Sequence, residues 1–424
     1  MKKIIFIISI IVLSSQLFSE EIIFFQGIMS KLGEPDTVTG EIPRTDETSI
    51  ESQVEYVHNK YLNKDTVVIA HSQGGVRALG YAYKAQKNVK ALITIGSPVK
   101  GYSPLVVGEN VLMSRIDKVV GDLSGGLSAL LLGPYSIPPV RLNSNNAFGI
   151  MDAFGFEDPL LNNIKTGEIF NKEGIKDLNP NSDYFKNYVN PKLAQKSFKK
   201  LVKYKKKLVR KVKYVKVGWF RVPKVSFSWT YGYKYVTKNY VVPQNRIDSS
   251  IPIGFIVGTQ NDPIEFLDSK GQQTARKVSS GLSIAFDVGN VFHTAYGVLT
   301  KPIFWTNTSR NYFRNAKACR TAKRLVANPE KILGDIFGST ANDSFILESD
   351  QKRSLTGLGG TPIGKNGEFY VRKNVNHLQE MSDDEIWGIG DNYSLSKGAF
   401  DKGSQIEKWL SYQNIYKTSG TVVK

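Results

Sequence analysis

The sequence predicts an α/β protein: a mostly parallel sheet with flanking helices and a large insertion containing a basic β-hairpin. Three observations carry this. Short β-branched runs at 66–69, 89–95 and 251–257 have the length of strands buried on both faces. Strand, turn, helix and strand follow one another between 65 and 101, the order of a parallel crossover unit. A stretch from 192 to 240 breaks that pattern with dense lysine and then two-residue alternation.

The 424 residues suffice for one large α/β domain with insertions, or for two domains. Met1 to Ser19 has the form of a signal peptide: Lys2 and Lys3, an apolar run from Ile4 to Leu13, and a small-residue exit near Ser19. That run is too short to span a bilayer, and no cysteine follows it to take a lipid. The mature chain is therefore expected to be exported, to the periplasm, the outer-membrane surface or the medium. Cys319 is the single cysteine, which excludes an intramolecular disulfide and a Cys-based zinc site.

The net charge of +18 comes from one segment. Of the 56 Lys and Arg, eighteen lie between Tyr184 and Ile247, which holds no acid; the other 38 balance the 38 Asp and Glu. The pattern is a local basic surface on an otherwise neutral protein.

In chain order, Glu21 to Gln26 reads as a strand and Gly27-Ile28-Met29-Ser30 as the turn after it. Thr48 to Asn63 is helical, with Ile50, Val54 and Val57 on one face; His58 there reads as a surface or packing histidine. Thr66 to Ile69 then runs into Ala70-His71-Ser72-Gln73-Gly74, and a helix follows from Val76 to Lys84. A serine in a sharp strand-to-helix turn with small neighbours is the context of a nucleophile elbow, whose strained turn lifts the hydroxyl into the open. Ala70 stands for the first small residue, with Gly74 and Gly75 on the other side. Ser72 is thus a candidate nucleophile, against the plainer reading of an ordinary turn. Such an elbow needs two backbone N–H groups for a developing oxyanion. One comes from the residue after the serine, Gln73; position assigns the other to Ile28, after the first strand. The next strand, Val89 to Ile95, leads into Gly96-Ser97-Pro98-Val99-Lys100-Gly101.

These stretches resemble α/β-hydrolase-fold bacterial lipases and esterases. F-F-Q-G-I-M is similar to the family's oxyanion loop, with Gln26 where His is usual. A-H-S-Q-G-G resembles its elbow, and I-T-I-G-S-P-V-K-G the strand and loop beyond. Asp177-Leu178-Asn179-Pro180-Asn181-Ser182 resembles a D-L-x-P-G-S segment, with Asn181 for glycine. Ala341 to Ser349 resembles the loop that carries the family's acid, and Asn374 to Glu380 the N-H-L-D-E loop that carries its histidine. The resemblance implies an α/β-hydrolase core at 20–101 and 251–424, with a cap or lid insertion at 102–250. Within the cap, Val119 to Leu132 reads either as a buried cap helix or as a lid that meets lipid.

In the basic part of the insertion, 192–240, Val225, Phe227, Trp229, Tyr231, Tyr233 and Tyr235 alternate with small or polar residues, giving a strand with an aromatic face. Lys211 to Val217 also alternates, with a slip at Tyr214-Val215 that a bulge would absorb. The segment reads equally as a solvated hairpin or as an interfacial device. In the second case Lys203, Lys205, Lys206 and Lys207 meet lipid phosphates, and Trp219 and Trp229 sit at headgroup depth. Nucleic acid is not expected as a partner, since no binding motif accompanies the charge. Beyond it lie a strand at 251–257, a basic helix at 311–333, a short strand ending at Val371 and a last helix at 406–412.

A serine hydroxyl needs an imidazole to take its proton and a carboxylate to orient the imidazole, in the chain order Ser, acid, His. His58 precedes Ser72, and His71 adjoins it. His377 lies in a polar loop and matches the family motif; His293 lies in an apolar stretch and is the alternative. For the acid, the resemblance implies Asp343, while Asp262 after the 251–257 strand stays open. Some of these lipases hold calcium through an Asp two residues after the histidine; here that residue is Gln379, so no metal is carried over. No organic cofactor is implied. The expected activity is hydrolysis of carboxylic esters, with lipid acyl esters as the expected substrates. Acyl transfer by the same residues, or a non-catalytic protein binding an anionic membrane or polysaccharide, are the alternatives. The oligomeric state is not legible.

Overall fold

The computed structural model describes residues 21–27, 47–135, 137–143, 171–262, 269–300, 307–377, 379–388, 403–417 and 421–422. The leader at 1–19 and Ile28 lie outside the described residues. The chain is mixed α/β, and its main sheet is parallel throughout. The strands are β1 (Glu21–Phe25), β2 (Thr66–His71), β3 (Val89–Ile95), β6 (Ile247–Gly258), β7 (Gly359–Pro362) and β8 (Phe369–Arg372). They run in the order β1-β2-β3-β6-β7, with β8 also on β6. Hydrophobic side chains fill both faces: Val68, Leu92, Ile253 and Phe255 on one, Ile69, Ile93, Ile95 and Ile256 on the other. That two-sided burial is why the strands read as unbroken apolar runs.

Helix α1 (Ile50–Lys60) starts at Ser49, whose Oγ accepts from Ser52 N–H, while Asp177 Oδ2 accepts from Ile50 N–H at 2.7 Å. This gives the Asp177 to Ser182 segment a structural job: it caps α1 at a site where acids are favoured. Behind it, Tyr184 donates to Val76 O at 2.9 Å and Phe185 is fully buried, so the segment braces α2 (Gln73–Lys84). Helix α2 packs so closely on β1 that a Cβ at Gly74 would lie 2.0 Å from Phe25 O. Arg77, fully buried, stacks on the Phe25 ring and donates to Gln26 O at 2.6 Å, tying the exit of β1 to α2.

A helical layer belongs to the same unit. Helices α3 (Glu109–Leu132), α4 (Ser269–Thr300) and α5 (Asn307–Ala327) pack together around Ala129, Phe286, Ala318, Cys319 and Ala322. The glycines and serines of α3 have separate uses. A Cβ at Gly126 would meet Ala322 Cβ at 2.2 Å, while Ser124 and Ser128 hydroxyls accept from Leu142 and Val140 N–H. One face of α3 is buried in this way, and Leu127 and Leu131 are exposed on another. The helix expected at 311–333 is two, α5 and α6 (Glu330–Phe337), parted at Asn328-Pro329 because the residue before proline leaves the helical region.

The segment 191–244 is a compact unit of its own, whereas the described residues of 102–190 group with the sheet. It is one antiparallel ribbon of β4 (Lys192–Val217) and β5 (Phe220–Gln244), exposed along nearly all of its length. Gly218-Trp219 forms the two-residue loop, with Gly218 at φ 62, a backbone state that glycine adopts without strain. The register corrects the expected slip at Tyr214-Val215: these residues pair regularly with Pro223 and Val222, and the irregularity lies between Lys205 and Lys207. The extra residue, Lys206, breaks the alternation inside the lysine run, where sequence pattern carries no apolar marker of phase.

Gly74→Ala tests the close packing of β1 on α2. Its Cβ would collide with backbone that cannot turn away, so the unfolding free energy in urea should fall by about 3 kcal/mol or more. An unchanged midpoint would show that α2 does not approach β1 this closely.

Candidate active site

Three loops at the carboxyl end of the parallel sheet bring the candidate residues together, the end where ligands of such sheets bind. Ser72 sits between β2 and α2 at φ 55 and ψ −130, a conformation that costs a non-glycine residue about 1–3 kcal/mol. Its N–H donates to Ile95 O and its O accepts from Gly75 N–H, both at 3.0 Å, so neighbours on β3 and α2 hold the turn. A Cβ at Gly75 would lie 2.2 Å from Ser97 Oγ, which is why a second small residue is needed here.

Ser72 Oγ lies 2.9 Å from His377 Nε2, and His377 Nδ1 lies 2.9 Å from Asp343 Oδ2. Asp343, fully buried, also takes Gln351 Nε2 at 2.9 Å on Oδ2, and Phe345 and Ile346 N–H at 3.0 and 2.7 Å on Oδ1. The two loops are joined by their backbone, His377 N–H donating to Asp343 O at 2.8 Å. The turn carrying His377 is clasped by Asn376 and Gln379, each side chain accepting from the other's N–H. A carboxylate can only accept, so Nδ1 of a neutral His377 carries the hydrogen and Nε2 turns its lone pair to Ser72.

The two alternatives are placed elsewhere. Asp262 pairs with Arg276 at 3.0 Å. His293 is buried in the helical layer, its Nε2 2.9 Å from Ala129 O. His58 is half-buried on α1. Gln73 is the first residue of α2, so its N–H is one that the helical ladder does not itself consume. Its side chain donates to Gly174 O at 2.9 Å.

Sequence reasoning missed three side chains at the site. Gln351 bridges the core and the acid, since its Oε1 accepts from Gly258 N–H at 3.1 Å; nothing in its local sequence marks it. Glu380 is fully buried, with Oε2 3.4 Å from both His377 Nδ1 and His71 Nε2, longer than good hydrogen bonds. The signal was its His-x-x-Glu spacing from His377. Room for it exists because a Cβ at Gly96 or Gly258 would lie 1.7 or 2.2 Å from its oxygens. His71, beside Ser72 in sequence, has its ring 4.6 Å from that of His377 and donates from Nε2 to His377 O at 3.0 Å.

The electrostatics follow from burial. Desolvation pushes the Asp343 carboxyl up, against the pull of His377. Burial pulls His71 down, disfavouring its charged form, against the opposing pull of Glu380. Burial likewise opposes the charged form of His377. The anions and hydrogen bonds of Asp343 and Glu380 outweigh it and push His377 up to about 10. Burial favours neutral Glu380, yet its contacts with His377 and His71 hold it below the usual range. His71, His377 and Glu380 also lie close enough together to hold a metal ion, but His377 is already committed to Asp343 and Ser72.

No family model, curated protein or solved structure matches the chain.

A base at His377 works only when neutral, so its raised proton affinity makes any turnover rise with pH through a limb well above the ordinary imidazole value of 6.5. Glu380→Gln removes one buried anion. The acid limb of kcat/KM on a small ester should move to lower pH by about one unit, the effect of one nearby charge. An unmoved limb would show that Glu380 does not act on His377 electrostatically.

Proposed function

We propose that this chain is a serine hydrolase of the α/β-hydrolase fold that cleaves carboxylic esters through an acyl-serine intermediate. The observation that carries the reading is the unbroken line from Ser72 Oγ through His377 to buried Asp343, each step 2.9 Å, starting from a strained strand-to-helix turn. The chain order Ser, Asp, His supports the same reading.

Ser72 Oγ attacks the ester carbonyl as its proton passes to His377 Nε2. The carbonyl oxygen becomes an oxyanion beside Gln73 N–H; the second donor expected from the sequence, Ile28, lies outside the described residues. The C–O bond to the alcohol then breaks, and His377 returns the proton to the departing oxygen. Water repeats the sequence on the acyl-serine and releases the acid. Asp343 keeps Nδ1 protonated and stabilises the imidazolium, while Gln351, Phe345 and Ile346 fix the carboxylate. The substrate class proposed is an acyl ester, lipids included, met outside the cytoplasm.

Ser72→Ala should leave the unfolding midpoint close to the parent and lower hydrolysis of p-nitrophenyl butyrate by about 10⁶. Residual activity within about tenfold of the parent would remove Ser72 from the mechanism. Asp343→Asn should cost about 10⁴ in turnover by favouring the wrong tautomer of His377. Asp262→Asn, which weakens the pair with Arg276, should stay within about tenfold. The reverse order would assign the acid to Asp262.

A further inference from the structure

The ribbon has no core of its own. From Lys192 to Gln244 it carries sixteen Lys and Arg and no acid, and its 26- and 25-residue strands make it roughly 80 Å long at strand rise. Two strands alone are marginal in water, and like charge along both works against pairing. An anionic surface alongside would offset that repulsion more strongly than dissolved salt.

The register shows how the charges are set. Phe227, Trp229, Tyr231, Tyr233 and Tyr235 on β5 face Arg210, Leu208, Lys205, Lys203 and Leu201 on β4. Residues directly opposite share a face. Aromatic rings and cations are therefore interleaved on one surface: the Lys203 ammonium lies 4.1 Å from the Tyr231 ring and that of Lys205 5.2 Å from the Trp229 ring. The other face carries Lys200, Lys207, Lys211, Lys213 and Lys234. At the tip, Trp219 is 98% exposed and Phe220 78%, with Val217 and Tyr214 exposed beside them.

We propose that the ribbon docks on an anionic phospholipid bilayer, its lysines on the phosphates and its tip, Trp219 and Phe220, seated at headgroup depth. A bilayer combines negative charge with an adjoining apolar phase, which the cations and the bare aromatic tip need together. A dissolved polyanion supplies the charge without the hydrocarbon. A second ribbon pairing along the open strand edges doubles the repulsion. Lysine along edge strands is itself a device that keeps such edges apart. This inference does not rest on the proposed esterase activity.

The test uses the full chain. It should co-sediment with vesicles of phosphatidylcholine mixed with phosphatidylglycerol, not with phosphatidylcholine alone, and raised salt should release it, as attraction fades within a Debye length. Each lysine at the surface strengthens binding about fivefold, so replacing Lys203, Lys205, Lys206 and Lys207 by Gln should weaken it by at least tenfold. Trp219→Ser should reduce the quenching of tryptophan emission by lipids brominated in the acyl chains. Hydrolysis of a small soluble ester should be unaffected by either change. Equal binding to neutral and anionic vesicles, or binding to neither, overturns the proposal. So does binding to heparin or DNA as tight as to anionic vesicles with no effect of Trp219→Ser, which assigns the ribbon to a soluble polyanion.

Discussion

Ser72 holds a backbone conformation that a serine does not choose, with φ at 55, and the surrounding structure depends on keeping it there. The strain is offset by hydrogen bonds to Ile95 and Gly75 and by a helix pressed against β1. That pressure demands glycine at two consecutive positions, 74 and 75, and a brace behind α2. The brace is the 177–185 segment, through Tyr184 to Val76 and Asp177 to the start of α1. A serine in an ordinary turn needs none of this.

The second constraint is charge in a dry place. Two carboxylates, Asp343 and Glu380, are buried around one imidazole. They are tolerable because each has a different compensation. Asp343 has donors on both oxygens, from Gln351, Phe345, Ile346 and His377. Glu380 is held by proximity to His377 and His71 rather than by good hydrogen bonds. An imidazole that gains a proton there is stabilised at once, which is the moment a general base needs help. The same arrangement makes His377 reluctant to give the proton up, so the proposed hydrolysis should favour alkaline pH.

Much of the sheet was legible because parallel strands buried on both faces have to be apolar, as at 66–69, 89–95 and 251–257. The serine turn was legible because glycine at 74 and 75 is a steric requirement visible in the sequence. The Ser and His positions could be narrowed by chain order, but the choice between Asp343 and Asp262 needed three dimensions: Asp262 follows a core strand directly, whereas Asp343 comes after α6 and meets His377 only in the fold. Helix α4 escaped notice because its Ser, Gly, Thr and Val residues are weak helix formers. It is helical through packing, with Gly289 against Leu130 and Gly297 against Phe313. Gln351 was invisible as a site residue for a plainer reason: what it does depends on segments distant in sequence, at Gly258 and Asp343, meeting at the carboxyl end of the sheet, whereas Glu380 carried only its spacing from His377. The bulge at Lys206 was misplaced because lysine repeats give no phase to read.

The measurement that bears most directly on the account is labelling of the folded full chain with a fluorophosphonate, followed by mapping of the modified peptide. The reagent reacts with a serine whose hydroxyl is activated and exposed, and it asks nothing about the natural substrate. The account predicts a single phosphonylated residue, Ser72, with labelling lost on heat denaturation and in His377→Ala. Labelling at another serine, or none on folded protein, would contradict it.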